Sequence, residues 1–111
     1  MHSITISAVA PAVKNSQLLV SAAGAQVNST ALPGQSSLVT PTATCFFRAG
    51  IPGQQTINQP VVAATAPTGM AADGTEQILL ANVTYRVEHA FNTILGFIGA
   101  AAFNVYITPE P

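Results

Sequence analysis

Proline and glycine interrupt this chain before a long regular element can grow. Breaks fall at Pro11, Gly24, Pro33-Gly34, Pro41, Gly50, Pro52-Gly53, Pro60, Pro67, Gly69, Gly74, Gly96, Gly99 and Pro109. Proline lacks the amide hydrogen that a helix interior needs, and glycine loses more backbone freedom on ordering than any other residue. Short runs separated by turn residues at this spacing predict a β-sandwich or barrel. With 111 residues, one domain is expected. Such a chain can bury roughly two-thirds of the surface its unfolded form exposes.

The runs themselves carry the period of a strand. Ser3-Ile4-Thr5-Ile6-Ser7 places both isoleucines on one face. Tyr85, Val87 and His89 alternate with Thr84, Arg86 and Glu88, and Phe103, Val105 and Ile107 alternate with Asn104, Tyr106 and Thr108. Alternation of this kind predicts one buried and one polar face. Further strands are predicted over residues 17–21, 37–40, 44–48, 60–65 and 76–80, making about eight in all. Residues 88–99 admit a helix, because Phe91, Ile94, Leu95 and Ile98 fall at i, i+3, i+4 and i+7. Asn92, Thr93 and Gly96 are weak helix formers, so a strand–turn–strand is favoured there. Residues 50–60, rich in Gln and Asn, read as the most loop-like segment.

Charge decides what such a domain can do. Lys14, Arg48, Arg86, Asp73, Glu76, Glu88 and Glu110 are its only charged side chains, 6% of residues against about 25% in ordinary domains. No basic patch is present to neutralise phosphates, so nucleic-acid binding is not expected. No polybasic segment addresses an anionic membrane. The longest apolar run, residues 94–103, is short of the ~20 residues that span a bilayer. Near-neutral copies lack the repulsion that keeps molecules apart, so association is favoured and the surface is expected to be covered by neighbours. A neutral secreted β domain is the alternative. The first residues lack a basic and then apolar leader, so no secretion signal is expected. Cys45 is alone, so no internal disulfide forms.

Little in the chain points to catalysis. His2 and His89 are its only histidines, and Glu88 and His89 point to opposite faces of a strand. Cys45, within Thr44-Cys45-Phe46-Phe47, reads as a small buried hydrophobe rather than a nucleophile paired with His89. Asp73 and Glu76 bracket a Gly74 turn, too few oxygens for Ca²⁺. No zinc spacing, phosphate-binding loop or nucleophile elbow occurs, so no enzyme activity, cofactor or metal is expected. Two sequons, at Asn28 and Asn82, matter only in a secreted protein.

Three pieces carry a family resemblance: Ser3-Ile4-Thr5-Ile6-Ser7, Ala43-Thr44-Cys45-Phe46-Phe47-Arg48-Ala49-Gly50, and the closing Phe103-Asn104-Val105-Tyr106-Ile107-Thr108-Pro109. In this order they resemble small phage virion proteins, which open on a Val/Ile-Thr-Ile-Ser strand, pass through an Ala-Thr-Ala-Phe-Val-Arg-Phe-Gly-like strand and close on Val-Tyr-Val-Thr-Pro-Gly. Ala49 stands where an aromatic is usual, and the chain ends in Glu110-Pro111. The resemblance implies an antiparallel, jelly-roll-like β-sandwich and a place outside a phage head as a cement or decoration subunit. Its implied partners are the major capsid protein and copies of itself, as a trimer or dimer. A tail, collar or fibre component and a receptor- or glycan-binding module are the other readings.

Contact residues for such a role are expected among Phe47, Ile51, Ile57, Met70, Leu95 and Phe97, which exceed what one small core can hold. Arg48 and Arg86 are added because a guanidinium grips an interface carboxylate with two hydrogen bonds.

Overall fold

The computed structural model describes residues 16–54, 58 and 60–110. Among them eight strands follow in chain order: β1 (Gln17–Ser21), β2 (Val27–Asn28), β3 (Ser36–Pro41), β4 (Cys45–Ala49), β5 (Gln77–Leu79), β6 (Tyr85–Glu88), β7 (Leu95–Ile98) and β8 (Phe103–Pro109). No helix occurs among the described residues.

The strands form two antiparallel sheets, ordered β1-β8-β3-β6 and β2-β7-β4-β5. Their pairing is nested: β1 with β8, β2 with β7, β3 with β6, β4 with β5. Rolling that long hairpin then joins β3 to β8 and β4 to β7. This is the jelly roll, a double-sheet route to burying two apolar faces with short connections. The all-β sandwich expected from the punctuation is therefore the fold.

The core lies between the sheets. In β8, Phe103, Val105 and Ile107 face inward while Asn104, Tyr106 and Thr108 alternate outward. Val39 of β3, Cys45 of β4, Leu79 of β5 and Leu95 and Phe97 of β7 complete the layer, with Leu32 from a connection. Each large side chain so buried contributes about 1.5–3 kcal/mol relative to exposure. Phe47 stacks on Phe97, ring centroids 6.3 Å apart.

Residues 88–99 form the favoured strand–turn–strand: β6 ends at Glu88 and β7 begins at Leu95. Asn92 sits at φ 60°, a left-handed conformation that Asn tolerates better than most residues. Asn82, at φ 61°, plays the same part between β5 and β6. The apparent helical spacing has no face to bury, since Phe91 lies exposed in the turn and Leu95 in the core.

Two expectations differ in detail. Residues 60–65 do not form a strand; Val62 and Thr65 make isolated bridges to Gln54 and Ile51. β2 was not anticipated, because two residues carry no readable period. The predicted strand at residues 3–7 lies outside the described residues.

Candidate assembly surface

The outer faces of the two sheets differ. Over the β2-β7-β4-β5 sheet the chain lays its own connection between β4 and β5. Gly96 of β7 lies beneath it: a Cβ there would meet Pro67 Cγ at 2.5 Å and Met70 Sδ at 2.9 Å. Gln26 holds the strap at two points. Its Nε2 donates to the Pro67 carbonyl (2.7 Å), and its Oε1 accepts from the Met70 amide (3.4 Å). Arg48 closes the far end on Glu76, with Nε donating to both carboxylate oxygens (3.1 and 3.0 Å) and Nη2 donating to Oε1 (2.6 Å).

The β1-β8-β3-β6 sheet has no such cover among the described residues. Register places Leu18 beside Tyr106, Tyr106 beside Thr40, Val20 beside Asn104, and Leu38 between Thr108 and Arg86. Leu18, Val20, Leu38 and Tyr106 are 54%, 68%, 38% and 49% exposed. No charged side chain occurs in β1, β3 or β8, so the face is neutral from the β1 edge until β6, which carries Arg86 and Glu88. A contiguous apolar patch of this kind marks a contact surface more often than an ordinary solvated face.

The ionic groups of this sheet collect at one corner. Glu110 Oε1 accepts from Ser36 Oγ (3.0 Å) and Arg86 Nε (2.9 Å). The Ser36 hydroxyl, and then the Arg86 guanidinium, hold the Glu110 carboxyl below the usual range. His89 Nδ1 lies 2.9 Å from the Ala90 carbonyl, which can only accept, so Nδ1 carries the proton. In the neutral ring Nε2 then accepts from Ser37 Oγ at 2.8 Å. Ser36, Arg86 and His89 border an open cleft of about 560 Å³ with Gln35, Glu88 and Ala90. The Glu110 bonds tie the end of β8 to β3 and β6.

No protein-family model, curated protein or solved structure matches the chain.

The anticipated contact residues scatter across this frame. Leu95 and Phe97 are fully buried in the domain's own core, so they present nothing to a neighbour. Met70 is likewise buried, within the strap over Gly96. Phe47 is half-buried and lines a groove of about 330 Å³ between β5 and β6, with Ile78 and Val87. Ile51 is 68% exposed. Ile57 lies outside the described residues. Arg48 reaches Glu76 and Arg86 reaches Glu110, both within the same chain. Other exposed apolar side chains, which the reading missed, are Leu18, Val20, Leu38 and Tyr106 on the β1-β8-β3-β6 sheet, and Val61, Val62, Ile78, Leu80, Val83 and Phe91 elsewhere. One signal was available: Leu18-Leu19-Val20 is an unbroken apolar run in a strand, so an apolar side chain must face outward.

The chemistry at hand is that of packing. Burial pushes the Cys45 thiol up to about 11, leaving it protonated near neutrality and inert as a nucleophile. No group of three or more His, Cys, Asp or Glu that could hold a metal gathers among the described residues.

Proposed function

We propose that this chain is a structural subunit of a virus particle, a cement or decoration protein on the outside of a phage head. The observation that carries this reading is the neutral outer face of the β1-β8-β3-β6 sheet, with Leu18, Val20, Leu38 and Tyr106 open to solvent in a chain only 6% charged. A jelly roll with one broad face partly covered by its own strap and the other open among the described residues is suited to lie across a seam between capsid subunits. Many weak apolar contacts across such seams resist internal pressure together, because multivalent attachment multiplies individually modest affinities. A specific contact of this class buries about 1,600 Å² in total. The jelly-roll order of the strands is the fold that the resemblance to small phage virion proteins implies.

The test is location. Particles purified by density gradient, probed with antibody to this chain and treated with a short amine- and thiol-independent photocrosslinker, are expected to show it on heads and joined to the major capsid protein. Recovery only from the soluble fraction, or only from isolated tails, overturns the proposal.

A further inference from the structure

Four strands lie at sheet edges: β1 and β6 in one sheet, β2 and β5 in the other. An open edge offers unpaired amides and carbonyls to any passing strand, and proteins blunt such edges with charge, proline or brevity. β2 has two residues and β5 has three, so neither offers a useful ladder. β6 carries Arg86 and Glu88. β1, Gln17-Leu18-Leu19-Val20-Ser21, has five residues, no charge and no proline, and its outward side chains Leu18 and Val20 are apolar and exposed. Among the described residues it alone of the four is neither charged, nor interrupted by proline, nor cut short.

We infer that β1 is the contact through which two copies of this chain pair, antiparallel about a two-fold axis, to give one continuous sheet of eight strands. The inference rests on the reading of the chain as an assembly subunit and names one of its partners. The occupant is a second copy because β1 is complementary to itself. A register centred on Leu19 sets Leu18 opposite Val20 of the second copy on the outer face and Leu19 opposite its equivalent on the inner. An uncharged strand meets its own image with no like charges opposed. The joined sheet also merges two apolar outer faces into one. A ladder of five residues runs about 17 Å and buries less than the ~1,200 Å² of a standard interface. The isolated pair is therefore weak, and within a particle it is reinforced by the other contacts each copy makes. Of the two symmetries open from the sequence, this geometry selects the dimer.

Sedimentation of the full chain over a concentration series tests it, with Val20→Lys and Leu18→Lys placing a charge on the solvent face of β1, and Ile78→Lys as the control on the β5 edge. The wild type is expected to dimerise reversibly below about 100 µM, with both β1 variants weakened at least tenfold, about 1.4 kcal/mol, and Ile78→Lys unchanged. Amide exchange in β1 should slow as the dimer fills. A wild type that stays monomeric, a dimer indifferent to the β1 charges, or β1 amides protected in a monomer because residues 1–15 cover them would each overturn the inference. None of these outcomes bears on whether the chain sits on heads, which the particle experiment decides separately.

Discussion

Gly96 shows how one residue sets the asymmetry between the two faces. Its missing side chain lets the strap carrying Pro67 and Met70 lie directly on β7. Gly96→Ala puts a methyl into that contact and is expected to cost about 1–3 kcal/mol by overpacking, read as a lower denaturant midpoint with unchanged slope. The few charged groups act as staples at fixed points. Glu110 and Asp73 are both held below their ordinary values, Glu110 by the Ser36 hydroxyl and then Arg86, Asp73 by the Thr75 hydroxyl and then the Thr75 amide. A carboxylate depressed in the folded state stabilises above its unfolded pKa and loses that contribution as pH falls through the folded one. Stability should accordingly be level near neutrality and decline on acidification below about pH 4.5, with the decline shallower in Glu110→Gln. A melting series from pH 7 to pH 2 checks the sign. Cys45 should react with a thiol reagent only after unfolding, since its sulfur is buried and protonated.

At the scale of elements, β8 is central because it pairs with both β1 and β3 and supplies Phe103, Val105 and Ile107 to the core. β7 does the same for its sheet through Leu95 and Phe97. Phe97→Ala removes a fully buried ring stacked on Phe47. It is expected to cost about 3–5 kcal/mol, a large part of the stability of a domain this size. The strap between β4 and β5 is held by Gln26 and Arg48, by backbone bonds that pair Ile51 with Thr65 and Gln54 with Val62, and by the Gly50 and Gly53 amides donating to the Ile94 and Asn92 carbonyls. Arg48→Ala should leave the two sheets intact while speeding amide exchange around Glu76, because the strap opens locally without global unfolding. Equal acceleration in β8 would show that the strap and the sandwich unfold as one unit.

For the whole molecule, nested pairing has a kinetic consequence. β1 pairs with β8 across most of the chain, and closing such loops costs entropy ahead of any reward. Refolding is therefore expected in milliseconds to seconds or slower, and a dominant submillisecond phase in stopped-flow fluorescence of Tyr85 and Tyr106 would contradict it. Far-ultraviolet dichroism should show β signal without a strong minimum at 222 nm.

The existence of strands, their alternation and the class of the fold were legible in the sequence, because Pro and Gly spacing and the period-2 pattern act locally on a few residues at a time. The scarcity of charge was legible for the same reason, being a property of composition. Which apolar residues would face outward was not. Leu95 and Phe97 were expected at a contact and lie in the core; Leu18 and Tyr106 drew no such notice and lie exposed. Inside and outside are assigned only when β8 slots between β1 and β3 and the strap settles over Gly96, contacts between residues far apart in the chain. Local pattern chooses a strand and its two faces; the pairing of distant strands chooses which face is hidden.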